Sequence, residues 1–130
     1  MNLLLDTNAL IWWMLDSKKL GKRARHAIVR PGARLFLSSA SVWEISIKSG
    51  MGKLRLKEPA EKCIPHLFEL GFLPLAITFQ HALAAGNLPL HHQDPFDRML
   101  IAQAQCEDLT LLTGDPAIMA YDVRTIDASD

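Results

Sequence analysis

Four acidic residues stand where carboxylates can do chemistry: Asp6, Glu44, Asp97 and Asp115. Asp6 ends the apolar run Leu3-Leu4-Leu5, and Asp115 follows Leu111-Leu112-Thr113-Gly114. Asp97 lies in Asp94-Pro95-Phe96-Asp97-Arg98, and Glu44 lies in Val42-Trp43-Glu44-Ile45. In an open α/β sheet, residues just past the carboxyl ends of the strands converge on one crevice. Carboxylates gathered there repel one another unless hard cations such as Mg²⁺ or Mn²⁺ neutralise them. The chemistry such a set supports is metal-dependent hydrolysis of a phosphodiester.

Each acid also has a plainer role open to it. Asp94 and Asp115 precede prolines and suit helix N-caps. Asp97 falls near the third position of its helix, where the macrodipole favours an acid. Glu44 stands four residues before Lys48, the orientation that stabilises a helix. Asp6 can cap the helix after the first strand. Helix N-termini that follow parallel strands face one side of the sheet, so capping and metal binding are compatible. Glu44 is the sharpest local clue, because Val42, Trp43, Ile45 and Ile47 around it imply a largely buried helix. An acid there needs a partner or an ion, and Lys48, one turn along, is a candidate for contacting either Glu44 or a substrate phosphate.

The elements that must position these residues alternate strand and helix. A strand over 2–5 leads to a helix over 7–15, and Gly21 opens a basic helix to 29, stopped by Pro31-Gly32. A strand over 34–37 precedes a helix capped within Ser38–Ser41 and ended by Ser49-Gly50-Met51-Gly52. A helix over 59–70 closes at Gly71 before a strand over 72–75, and Thr78 caps a helix over 79–86. Asp94-Pro95 starts a helix to Cys106, a strand covers 109–112, and Asp115-Pro116 starts a short helix to Ala120. The tail at 123–126 reads as an edge strand. Four-residue strands separated by helices predict one α/β domain over 1–130, with a parallel sheet covered on both faces.

Bulk properties agree with a globular enzyme. The chain has 130 residues, 49% apolar and 22% charged, enough to bury a sizeable core. Cys63 and Cys106 are far apart without metal-type spacing, which fits a reduced cytoplasmic setting. The opening Met1-Asn2-Leu3-Leu4-Leu5-Asp6 lacks a basic leader region, and no apolar run is long enough for a membrane span. Net charge is zero, but residues 1–65 hold 12 Lys/Arg against 5 Asp/Glu, and residues 66–130 hold 2 against 9. A basic half beside an acidic cleft suits a polyanionic substrate or an acidic partner. The run Leu10-Ile11-Trp12-Trp13-Met14-Leu15 is too apolar for one helix stripe, so part of it is expected to face another chain.

Four blocks of the chain resemble a known family. Leu4-Leu5-Asp6-Thr7-Asn8, Ser41-Val42-Trp43-Glu44-Ile45-Ser46-Ile47-Lys48, His92-Gln93-Asp94-Pro95-Phe96-Asp97-Arg98 and Leu112-Thr113-Gly114-Asp115 are similar to the signature blocks of PIN-domain nucleases. Among these they resemble most the VapC-type ribonuclease toxins of toxin–antitoxin pairs. The resemblance implies a PIN-like three-layer α/β/α sandwich with a short-stranded, mainly parallel sheet. It implies an endoribonuclease whose Asp6, Glu44, Asp97 and Asp115 hold one or two Mg²⁺ or Mn²⁺ ions. Thr7, Asn8 and Thr113 are then supporting hydrogen-bonding groups, and Asp94 is more a cap than a ligand. Implied partners are RNA, a cognate antitoxin, and a homodimer within a higher assembly. Gly114 departs from the many relatives with a basic residue there.

Rival readings are weaker. His91 and His92 near Asp94 hint at zinc, but no further His or Cys stands at ligand spacing. His26, His66 and His81 read as surface or packing residues. A haloacid-dehalogenase-type site needs a second Asp two places after Asp6, where Asn8 stands, and a response-regulator receiver needs paired acids after its first strand. A non-catalytic RNA-binding or scaffold module of the same fold is the alternative from a different class.

Overall fold

Alternating short apolar strands and capped helices fold into a five-stranded parallel sheet wrapped by helices. The computed structural model describes residues 1–130. In chain order the elements are β1 (Asn2–Leu5), α1 (Thr7–Met14), α2 (Lys22–Val29), β2 (Arg34–Ser38), α3 (Ser39–Gly50) and α4 (Ala60–Glu69). There follow β3 (Leu73–Leu75), α5 (Phe79–Gly86), α6 (Pro95–Cys106), β4 (Thr110–Thr113), α7 (Pro116–Met119) and β5 (Thr125–Asp127). The expected elements are all present, with β4 and β5 displaced by one or two residues toward the C-terminus.

The strand order is β3-β2-β1-β4-β5, and every pairing is parallel. β1 lies at the centre, paired with β2 through Leu3 and Leu35 and with β4 through Leu4 and Leu111. Side chains alternate across a strand, so Leu3 and Leu5 join one apolar cluster with Leu10, Ile28, Ile64 and Leu112. Leu4 joins the other with Leu100, Ile101, Leu111 and Ile118. All three β1 leucines are fully buried, each stabilising the fold by roughly 2 kcal/mol. Both faces of the sheet are therefore covered, the three-layer arrangement the strand composition predicts.

α3 departs from expectation. Its apolar neighbours of Glu44 predict an enclosed helix, yet Trp43 is 62% exposed and Ile47 is exposed as well. Only Ala40, Ser41, Glu44 and Ile45 turn fully inward. Trp43 instead stands edge-on to Phe96 at 5.2 Å between ring centroids. The acid is enclosed while the aromatic beside it is not.

The loop between α5 and α6 is tied down by Arg98. Its guanidinium donates to the carbonyls of Ala85, Leu88, Pro89 and His92. The Tyr121 hydroxyl donates to the Pro89 carbonyl and accepts the His92 N–H at 2.9 Å. Elsewhere Thr78 and His81 form a reciprocal capping box at the start of α5. His81 is buried, and its Nε2 meets Glu107 at 2.8 Å, which makes it a packing residue of the α5–α6 contact.

Candidate metal centre

The carboxyl ends of the two central strands bring the first pair of acids together. Asp6 directly follows β1, and its N–H donates to the Leu112 carbonyl at 3.0 Å. Its side chain caps α1, with Oδ1 accepting the Ala9 N–H at 2.8 Å. Oδ2 accepts the Thr113 hydroxyl at 2.5 Å. Asp115 follows β4 by two residues and caps α7, with Oδ1 accepting the Ala117 N–H at 2.9 Å. The Thr113 hydroxyl also accepts the Asp115 N–H at 3.1 Å, so Thr113 joins both acids. Thr7 instead donates to Ser41 at 3.0 Å, tying α1 to α3, and Asn8 is exposed.

The second pair comes from helices. Glu44 lies on the inner face of α3, only 6% exposed, and its Oε2 pairs with Lys48 Nζ at 2.7 Å. That contact holds the Lys48 ammonium above its ordinary pKa. Glu44 Oε1 is buried with no hydrogen-bond partner. Asp97 sits in the first turn of α6, where Asp94 is the cap, accepting the N–H groups of Phe96 at 2.8 Å and Asp97 at 3.3 Å. Asp94 is thus committed to the helix end, as its position before Pro95 predicts.

The charges feel one another. Burial pushes the Asp6 carboxyl up to about 6, opposed by its bonds from Thr113 and Ala9 and assisted by repulsion from Asp115 and Glu44. Burial likewise pushes Asp97 up to about 7, with repulsion from Asp94, Asp6 and Glu44 adding to it and His92 acting against it. Asp97 and Asp115, with His92, bring ligand atoms within 4.8 Å of one another, and Asp6 and Glu44 lie near enough for their charges to act on Asp97.

One member was not selected by sequence reasoning. His92 Nε2 lies 2.9 Å from Asp97 Oδ2 and 2.9 Å from Asp115 Oδ2, bridging the two acids. Its signal was adjacency to the Asp94-Pro95-Phe96-Asp97 block, which a search for zinc-type His/Cys spacing does not detect. His91 turns away and packs edge-on against Tyr121 at 4.9 Å.

A cation fits this set. Both oxygens of Asp6 and both of Asp115 accept hydrogen bonds, Glu44 Oε2 pairs with Lys48 and Asp97 Oδ2 lies beside His92, while Glu44 Oε1 and Asp97 Oδ1 have no partner. A buried carboxylate oxygen without a donor is costly, and hard oxygen donors suit Mg²⁺ or Mn²⁺. Separate from the acids, a groove of about 680 Å³ opens between the end of α1 and α4, lined by Trp13, Met14, Lys57, Lys62, Leu67 and Leu70 among others. No helix is long and apolar enough to cross a membrane.

Comparison with solved structures finds the same fold in other chains, among them one from a toxin–antitoxin complex of Klebsiella pneumoniae at TM-score 0.64 and 19% identity over 97% of both chains. VapBC2 from Rickettsia felis, bound to a DNA fragment from its promoter, aligns over 98% of both chains at TM-score 0.73 and 15% identity. VapBC-1 from nontypeable Haemophilus influenzae aligns over 100% of both at TM-score 0.68 and 22% identity. DNA-bound VapBC from Salmonella typhimurium aligns over 98% of both at TM-score 0.67 and 20% identity. No curated relative matches the chain. The PIN domain model matches residues 3–123, a span that contains all four acids. On that match, and on the sheet and acidic centre described above, the chain belongs to the PIN domain family.

Proposed function

We propose that this chain is a divalent-cation-dependent endoribonuclease, the toxin of a toxin–antitoxin pair, with Asp6, Glu44, Asp97 and Asp115 as its metal-binding acids. The observation that carries this reading is the carboxylate cluster in which the buried Glu44 Oε1 is left without a donor. Such a group is costly for a purely structural protein and useful only when positive charge arrives. When bound, Mg²⁺ or Mn²⁺ supplies Lewis acidity that polarises the phosphate and lowers the pKa of a water molecule.

The chain's own residues do the rest. Ala9 and Thr113 donate to the two oxygens of Asp6, and Ala117 and His92 to the two of Asp115, which fixes where their remaining lone pairs point. Lys48 orients Glu44 and keeps its charge at the mouth of the site, where it faces an incoming phosphate. The twelve-residue α6 places its positive N-terminal end beside Asp97, favouring the ionised carboxylate against the repulsion around it.

Names of the similar structures support an antitoxin partner for this chain, since three of them are VapBC complexes. The half-buried α1 tryptophans and the groove beside Trp13 are where we place it. A homodimer, a higher toxin–antitoxin assembly, one domain over 1–130 and a cytoplasmic setting complete the proposal.

The deciding experiment is end-group analysis of RNA cut by the purified chain. Products with 5′-phosphate and 3′-hydroxyl ends, lost in EDTA and restored by Mn²⁺, are expected. Cyclic 2′,3′-phosphate ends, or cleavage undiminished in EDTA, exclude the metal route. Mn²⁺ binding without any cleavage assigns the chain to the non-catalytic RNA-binding alternative.

A further inference from the structure

His92 is held too firmly to be a passing contact. Its N–H donates to the Tyr121 hydroxyl at 2.9 Å, and its carbonyl accepts from Arg98 at 3.2 Å. Its ring Nδ1 accepts the Asp94 N–H at 3.2 Å. A ring nitrogen that accepts a hydrogen bond carries no proton, so the ring's proton is on Nε2. Nε2–H then donates to Asp115 Oδ2 at 2.9 Å, and Asp97 Oδ2 lies 2.9 Å from the same nitrogen. Asp94 and Arg98 at the start of α6, and Tyr121 beyond α7, thus fix the residue whose ring donates to Asp115 beside Asp97.

The same arrangement decides between two roles for the imidazole. A nitrogen that ligates a cation must present a lone pair, and the lone pair of this ring is already engaged with Asp94. Nε2 can donate but cannot ligate without breaking the Asp94 contact. Asp115 has both oxygens occupied, by Ala117 and His92. Asp97 meets the imidazole through Oδ2, and its Oδ1 has no partner.

Resting on the metal-dependent reading above, we propose that His92 is a positioning residue of the metal centre. It donates to Asp115, lies against Asp97 Oδ2 through the same nitrogen, and so holds these repelling carboxylates in place before the cation arrives. Outer-shell donors of this kind change metal affinity by about 10–100-fold when removed. His92 is a donor to Asp115, not a ligand of the ion.

The test uses the full chain and Mn²⁺ alone, with free Mn²⁺ counted by electron paramagnetic resonance. His92→Ala weakens Mn²⁺ binding about 10–100-fold, while His92→Gln, whose amide reaches a similar place and donates, restores most of it. Wild-type Mn²⁺ shows no directly bonded ¹⁴N coupling in its echo-modulation spectrum. A ¹⁴N coupling lost in His92→Gln makes His92 a ligand and overturns the proposal. Affinity unchanged or raised in His92→Ala, or equally reduced in His92→Gln, also overturns it. Should His92→Ala fail to fold, the wild-type spectrum and the His92→Gln titration decide alone. Wild-type protein that binds no Mn²⁺ at all removes the metal-dependent reading itself, which is a different result from Mn²⁺ bound without dependence on His92.

Discussion

The Thr113 hydroxyl donates to Asp6 Oδ2 across 107 positions of sequence, because β4 lies beside β1 in the sheet. The Thr113 hydroxyl oxygen in turn accepts the N–H of Asp115. One threonine thus couples the acid at the end of one central strand to the acid just past the end of its neighbour. Its bond opposes the burial that raises the Asp6 carboxyl.

Replacing Thr113 with valine keeps the shape and removes the donor. A hydrogen bond to a charged group contributes about 1.5–3 kcal/mol, so Thr113→Val is expected to raise the Asp6 carboxyl further and weaken Mn²⁺ binding near neutral pH. Calorimetric Mn²⁺ titration of the variant checks this. Affinity equal to wild type would show that the bond does not tune Asp6.

Stability of the metal-free protein should depend on pH in a direction set by the two raised carboxyls. Asp6 at about 6 and Asp97 at about 7 both stand above the ordinary value of 3.8, so the folded state holds these protons more tightly than the unfolded chain. Their contribution is fully present below the unfolded value and is lost as pH rises through the folded ones. In EDTA, Tm is expected to fall between about pH 4 and about pH 7, and Mn²⁺ should remove most of that fall near neutral pH. A metal-free Tm that climbs toward pH 8 would contradict the clustering of these acids.

Asp97→Asn removes one charge from the repelling group. Cleavage of RNA should be lost, while the metal-free Tm at neutral pH stays level or rises. Asp6→Ala should also abolish cleavage with the fold retained. An Asp97→Asn protein melting well below wild type in EDTA would instead give Asp97 a structural role.

Trp13 lines the groove beside α4 and is only partly buried. If that groove takes the antitoxin, Trp13→Ala should weaken the toxin–antitoxin complex by about tenfold or more, the loss expected of a buried aromatic anchor. Affinity measured by titration calorimetry and unchanged by the substitution would place Trp13 in the protein's own packing.

Much of the architecture was legible because its signals are local. Leu3-Leu4-Leu5 before Asp6, and the proline after both Asp94 and Asp115, mark a strand end and two helix starts. Strand-end placement was also enough to select Asp6 and Asp115 as neighbours, since parallel strands share one carboxyl edge. The apolar context of Glu44 indicated its burial, but extending that inference to the whole helix misplaced Trp43. Periodicity describes a helix's faces and not which neighbour covers each of them.

The amino-acid sequence by itself determined the order of elements, their caps and the four acids, all set by interactions within a turn or two of chain. Only tertiary structure decided that Thr113 meets Asp6, that His92 bridges Asp97 and Asp115, and that Glu44 Oε1 is left without a donor. Those contacts depend on the strand order β3-β2-β1-β4-β5 and on the Arg98 and Tyr121 ties to the loop before α6. They join residues far apart in the chain, and the cost of closing such loops is met by burial of the whole core rather than by any local pattern.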